Sequence, residues 1–169
     1  MTSRLEDQFT FLNEIDRLKT IQRANELLDG SRAENSAEHS WHLALWALAF
    51  EPLASQDVCI DRVIGMLLLH DLVEIDAGDH PIHLKTDWQA VAVAEKAAAN
   101  RIFGLLPDEQ GKSLCDLWHE FEAAQTSDAQ FAKRLDIAQP LVQVAAATSA
   151  PQAHQDIARD NLLNGRASG

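Results

Sequence analysis

Val63-Ile64-Gly65-Met66-Leu67-Leu68-Leu69-His70-Asp71-Leu72-Val73-Glu74 is the stretch on which the reading of this chain turns. It is apolar around most of a helical circumference, as in a helix buried on nearly all sides, and polar groups inside such a helix need partners. On an α-helix His70 and Asp71 stand about 100° apart and Glu74 lies one turn further on, so all three titratable groups share one sector of a hydrophobic rod. Imidazole nitrogen and carboxylate oxygen are ligands for first-row divalent metals, and such an ion would offset the cost of burying the acid. A lone His-Asp pair fits a hydrogen-bonded structural pair equally well. The metal reading therefore depends on ligands from elsewhere in the chain.

A length of 169 residues suits one domain with one sizeable core, and 46% hydrophobic against 24% charged residues describes an ordinary globular chain. Sparse glycine and proline with abundant alanine and leucine favour helices. Acidic residues outnumber basic ones by 26 to 14, which opposes non-specific binding to nucleic acid or to an anionic membrane. An anionic substrate needs a local basic pocket or a metal. Cys59 and Cys115 lack C-x-x-C spacing and read as small core fillers of a reduced, cytoplasmic protein. No apolar run approaches the ~18 residues of a membrane span, and the polar start has no signal-peptide core.

Leu5, Phe9, Leu12, Ile15, Leu18 and Ile21 write an amphipathic first helix, with Asp29-Gly30 as its stop. Arg17 and Lys19 read as its solvated face. In the next segment Asn35 or Ser36 caps a helix whose first turn holds Glu38 and His39. His39 there could give one ring nitrogen to an acid and the other to a metal, and His42 reads as a packed histidine. Glu51-Pro52 closes that helix, and after Glu74 a loop with Gly78 and Pro81 carries Asp79. Helices are then expected from about 87 to 106 behind a Thr86 cap, from 113 to 124, and from a Ser127 cap through Asp136 towards Pro140. Pro140 cannot give an N–H to the carbonyl of Asp136, and an opened turn there could direct the Asp136 carboxylate at a ligand. Residues 1–150 are expected as the domain and 151–169 as a frayed tail without the contacts of a final helix. No Gly-rich phosphate loop and little β-branched alternation leave an all-α, single-domain helical bundle with acids and histidines projecting inward.

The order His39, His70-Asp71, Asp136 on successive helices resembles the HD superfamily of metal-dependent phosphohydrolases. Four blocks extend the likeness: Phe11-Leu12 with Leu18-Lys19 and Arg23; Arg32-x-Glu34-Asn35-Ser36-x-Glu38-His39-Ser40; Leu69-His70-Asp71-x-x-Glu74-x-x-x-Gly78-Asp79-x-Pro81; and Phe131-Ala132-Lys133-x-Leu135-Asp136-x-x-Gln139-Pro140. They look like the branch of bacterial 5′-deoxynucleotidases and the HD-domain-containing protein 2 type. That resemblance implies an HD-type bundle with the metal site between helices, where His39, His70, Asp71 and Asp136 hold one divalent ion. Manganese, cobalt, iron, nickel, zinc and magnesium all suit such ligands in some degree. It also implies Glu74 and Asp79 as catalytic acids, Arg23 and Asp79 at the substrate, and a homodimer. The expected reaction is removal of phosphate from (deoxy)nucleoside 5′-monophosphates by metal-activated water, with Arg23 neutralising phosphoryl charge and Arg32, Lys85 or Lys133 as further cations. Hydrolysis of a triphosphate or alarmone, and a catalytically silent metal-binding regulator, are the alternatives. One departure is visible: the bacterial deoxynucleotidases carry an aromatic after the arginine, where this chain has Ala24.

Overall fold

The structure, a computed structural model, describes residues 3–80, 86–147 and 152–164. Helix α1 (Arg4–Ile15) leads through a 3₁₀ turn, Asp16–Thr20, into an antiparallel ribbon of β1 (Gln22–Glu26) and β2 (Ala33–Asn35). Helix α2 (Ser36–Phe50) follows, then α3 (Ile60–Leu69), a 3₁₀ turn at His70–Val73 and the short α4 (Glu74–Ala77). Helices α5 (Trp88–Phe103), α6 (Asp108–Ala123), α7 (Ser127–Ala146) and α8 (Gln152–Asn164) complete it. The helical bundle expected from composition is the architecture found. Among the described residues no helix is long and apolar enough to cross a membrane.

Two hydrophobic clusters build the core. Val63, Met66 and Leu67 of α3 pack with Leu43 and Ala47 of α2, Phe121 of α6 and Ala129, Ala132 and Leu135 of α7. The second cluster joins Phe11, Leu18, Leu72, Val73 and Ile75 to Ile102, Phe103 and Trp118. The stretch from Val63 to Glu74 passes from one cluster to the other, which is why it is so apolar.

The path of the chain departs from expectation in several places, each with a local cause. The first helix ends at Ile15 rather than near Gly30, and 22–35 forms a hairpin. Gly30 has φ +70, the conformation expected of it, but uses it in the hairpin turn, where its N–H donates to Leu27 O at 2.8 Å. Leu5, Phe9 and Leu12, expected inside, are 60%, 56% and 54% exposed; Phe11 carries the burial of α1 instead. Helix α6 starts at Asp108 because Pro107 fills its N-cap and two acids occupy its first turn. The caps of α5 and α7 are Asp87 and Thr126, one residue away from Thr86 and Ser127. Helix α7 runs through Pro140 to Ala146. Residues 152–164, expected in the tail, form a helix that lies against α7 with Ala158 buried. Cys59 is exposed rather than core filler.

Helices α5 and α6 approach so closely at Gly111 that an added Cβ would sit 2.3 Å from the Phe103 carbonyl oxygen. Backbone cannot yield there as a side chain would. Gly111→Ala is therefore expected to cost about 1–3 kcal/mol, read as a lower urea midpoint at unchanged slope.

Candidate functional site

Helix α2 begins with a capping box: Asn35 Oδ1 accepts from Glu38 N at 3.0 Å, and Glu38 Oε2 accepts from Asn35 N at 3.2 Å. This fixes the first turn so that Ser36, His39 and Ser40 are buried. His39 Nε2 lies 3.1 Å from Asp136 Oδ1 on α7.

His70 follows at the end of α3, where the helix tightens. Its Nδ1 lies 2.8 Å from Leu67 O, and because a carbonyl only accepts, Nδ1 carries the proton and a neutral His70 presents a lone pair at Nε2. Trp118 Nε1 donates to His70 O at 3.1 Å, and the Phe121 ring stands edge-on to the imidazole, 5.1 Å between centroids. The ring is thus held at Nδ1 and against Phe121, and Trp118 holds the backbone that carries it. Nε2 is 3.0 Å from Asp71 Oδ1 and 3.5 Å from Asp136 Oδ1, yet has hydrogen-bond geometry with neither.

The sequence expectation placed His70, Asp71 and Glu74 on one continuous helix. The 3₁₀ turn changes their grouping, since residues three apart eclipse in that geometry and Asp71 and Glu74 come into line. Both then face Arg23 on β1, which lies 2.9 Å from Asp71 Oδ2, 3.9 Å from Glu74 Oε1 and 4.0 Å from Asp79 Oδ1. Asp71 stands between the histidine cluster and the arginine. Ser36 Oγ donates to Glu74 Oε2 at 2.5 Å, joining α2 to the same cluster.

Electrostatics follow from that crowding. Burial works against the charge on Arg23, but Asp71, Glu74, Asp79 and Asp136 outweigh it and raise its pKa. Burial, with Asp71 close by, pushes Glu74 up to about 8 against the pull of Ser36 and Arg23. For Asp136 burial also acts upward, yet His70 and His39 hold the carboxyl well below its ordinary value. Burial would lower His70, and the two aspartates instead raise it to about 9. The pocket is short of positive charge.

That shortage bears on the metal. His39, His70 and Asp136 each offer a ligand atom, all within 4.8 Å of one another, and His70 Nε2 is buried without a hydrogen-bond partner. Two imidazoles and a carboxylate, with Asp71 alongside, form a donor set that fits a first-row divalent ion.

Glu34 on β2 was not named as a site residue from sequence. It is 3% exposed, and its Oε2 lies 3.7 Å from His39 Nδ1, where both atoms lack a hydrogen-bond partner among the described residues. Burial raises its pKa. The signal was partial: His39 was expected to turn one nitrogen to an acid, but the unforeseen hairpin is what brings Glu34 there. Of the suggested helper cations, Arg32 is bound to Glu38 at 2.7 and 2.8 Å, and Lys133 contacts Glu122 and lies over the Phe121 ring. Lys85 and Pro81 fall outside the described residues. Ala24 is on the exposed side of β1, opposite Arg23, so strand alternation turns position 24 away from Asp71.

Residues 15–168 match the family profile of the HD domain. The chain belongs to the HD domain family. This HD domain is similar to a solved protein from Magnetospirillum magnetotacticum described as a predicted metal-dependent phosphohydrolase. The two are 45% identical with a TM-score of 0.82, over 95% of this chain and 84% of that one. Among curated relatives, human 5′-deoxynucleotidase HDDC2 is 27% identical over 134 residues, 79% of this chain and 64% of the relative. The 5′-deoxynucleotidase PM0747 of Pasteurella multocida is 35% identical over 103 residues, 56% of this chain and 52% of the relative. The match thus spans just under two thirds of the human protein's length.

Proposed function

We propose that this chain is a divalent-metal-dependent phosphohydrolase that releases inorganic phosphate from (deoxy)nucleoside 5′-monophosphates. The observation that carries the reading is the meeting of His39, His70 and Asp136 beside an Asp71–Arg23–Glu74 cluster drawn from four separate stretches of chain. The names of the relatives point the same way.

His39, His70, Asp71 and Asp136 are the residues that would hold the ion. Bound there, a divalent ion would acidify a nearby water and draw charge from the phosphoryl oxygens. Glu74, oriented by Ser36, takes the proton of the attacking water, and its raised pKa suits a base working near neutrality. Arg23 compensates charge that grows on the phosphoryl oxygens. Asp79 Oδ1 lies 4.0 Å from Arg23 Nη1, and the residue serves the 5′-oxygen end of the substrate. The water oxygen bonds to phosphorus, the bond from phosphorus to the 5′-oxygen breaks, and the leaving oxygen gains a proton from solvent, to which Glu74 returns the one it took, so that one water is added across the bond. Because carboxylates surround Arg23, a phosphate enters well only when the ion's charge is also present.

The deciding experiment measures phosphate release from a panel of ribo- and deoxyribonucleoside 5′-monophosphates, with metal-stripped protein given one divalent ion at a time. Release that disappears in Asp71→Ala supports the reading. Silence with every ion, while metal still binds, transfers the case to di- or triphosphate substrates or to a regulatory role. The ratio of ribo to deoxy rates reports sugar preference.

A homodimer in the cytoplasm is part of the same proposal. Leu5, Phe9 and Leu12 recur at helical spacing on the exposed face of α1 and would be covered by a second copy. Phe9→Glu is expected to shift sedimentation from dimer to monomer and leave helical content unchanged.

A further inference from the structure

Glu34 is a buried carboxylate that the proposed reaction does not use. It is 3% exposed, while Ala33 and Asn35 on either side are half-buried, so it is the residue of β2 turned fully inward. Ser36 N donates to Ile21 O at 3.0 Å where the strand ends, and the extended Asn35 caps α2 directly afterwards. His39 stands in the first turn of that helix, and its Nδ1 lies 3.7 Å from Glu34 Oε2. Both atoms are buried, and neither has a hydrogen-bond partner among the described residues. A carboxyl oxygen and a ring nitrogen that face one another away from water are costly to keep unless a proton lies between them.

The tautomer of His39 accounts for that distance. A neutral imidazole has one N–H to give. His39 Nε2 lies 3.1 Å from Asp136 Oδ1, and a carboxylate only accepts, so in this arrangement the N–H is at Nε2. Nδ1 is then a lone pair opposite an acceptor oxygen, and the two stand apart. The other tautomer reverses both ends: the N–H at Nδ1 points to Glu34, and Nε2 offers its lone pair beside Asp136. Only that second form ligates an ion through Nε2. His70 has the corresponding tautomer fixed already, with Nδ1 at 2.8 Å from Leu67 O.

We propose that Glu34 is a positioning residue of the metal site: it accepts the N–H of His39 Nδ1 and so frees Nε2 to hold the ion. The inference rests on the metal reading given above and adds a residue to it. Metal-ligating histidines commonly give their second N–H to a carboxylate or a backbone carbonyl. Here the two histidines use one of each, Leu67 O for His70 and Glu34 for His39. Water does not stand in for the acid, because His39 is 0% exposed. A carboxyl group has an oxygen that accepts whether or not it carries a proton, so the role is one of placement rather than of charge.

The test compares Glu34→Gln, which keeps an acceptor oxygen, with Glu34→Met, which keeps the length of the side chain but ends in a poor acceptor. Zinc affinity is read by calorimetry on the stripped full chain. Glu34→Met should weaken it by roughly 10–100-fold, and Glu34→Gln should stay within about threefold of the parent. Asn25→Ala removes the bond from the same hairpin to Pro140 O and should leave the affinity unchanged, which separates a loosened hairpin from a misplaced histidine. The zinc-loaded parent supplies a reading that stands even where Glu34→Met does not fold: nitrogen-edited NMR should show a proton on His39 Nδ1 that exchanges slowly with water. Parent-like affinity in Glu34→Met overturns the proposal. So does an equal loss in Glu34→Gln, which assigns the effect to charge, and so does a His39 Nδ1 without a proton when zinc is bound. These outcomes leave the metal reading standing, whereas a parent that binds no ion sinks that reading and this inference together.

Discussion

Glu74→Gln is expected to stop turnover and at the same time to make the metal-free protein more stable. Glu74 is 9% exposed, in contact with Ser36 and near Asp71, and its folded pKa stands at about 8. In the unfolded chain an ordinary glutamate has lost its proton by about pH 5. Between those values the folded protein holds a proton that the unfolded chain releases. Stability therefore declines as pH rises through this window and levels off above about 8. Glutamine keeps the neutral shape and still accepts from Ser36 Oγ, so it removes the penalty. The gain should be on the order of 1–3 kcal/mol at pH 8 and close to nothing at pH 5, measured as urea midpoints in chelator. Phosphate release should fall by roughly 10²–10⁴ because the base is gone. A variant that keeps activity within about tenfold removes Glu74 from the base role, and one with no pH-dependent gain in stability shows that the parent carboxylate is ionised in the folded protein.

Such a trade between stability and chemistry explains why the central stretch was legible before the fold was known. Two carboxylates and a histidine inside Val63–Glu74 break an otherwise apolar pattern, and a pattern is broken at a cost only where something compensates. The helical class was equally open to view, since apolar spacing and capping signals such as Asn35 with Glu38 act locally. What stayed hidden depends on contacts between distant residues. Gln22-Arg23-Ala24-Asn25-Glu26 has no β-branched residue and no alternation of apolar and polar, so nothing local marks it as a strand. It is held by pairing to β2 and by Asn25 and Gln143 bridging to α7. Without the hairpin neither the approach of Arg23 to Asp71 nor that of Glu34 to His39 could be foreseen. The 3₁₀ turn was hidden for a related reason: a helix and a tighter turn share the same apolar spacing over four residues, and tertiary anchors such as Trp118 on His70 O accompany the tighter one.

Asp136→Asn separates the site from the scaffold most sharply. The substitution keeps shape and volume and takes away one negative charge beside His39 Nε2 and His70 Nε2, at 3.1 and 3.5 Å. An amide oxygen is a far weaker ligand for a divalent ion than a carboxylate. Affinity for manganese or cobalt, measured by calorimetry on stripped protein, should fall by roughly 10²-fold, on the scale of losses seen when even an outer partner of a metal site is removed. Phosphate release should drop by about 10³-fold, equivalent to about 4 kcal/mol in the barrier. Helical content should not change. The comparison is Asp128→Asn, a more deeply buried carboxylate on the same α7, which accepts from Cys59 N at 2.7 Å and Arg62 Nε at 2.9 Å outside the cluster. Losing that pairing should lower stability by about 1–3 kcal/mol while metal affinity stays at the parent value. If both variants bind metal as the parent does, the ion sits elsewhere and the His39–His70–Asp136 cluster is a structural hydrogen-bonded group. If both lose it, the loss follows stability rather than ligation. Only a fall confined to Asp136→Asn fits a carboxylate that holds the ion directly.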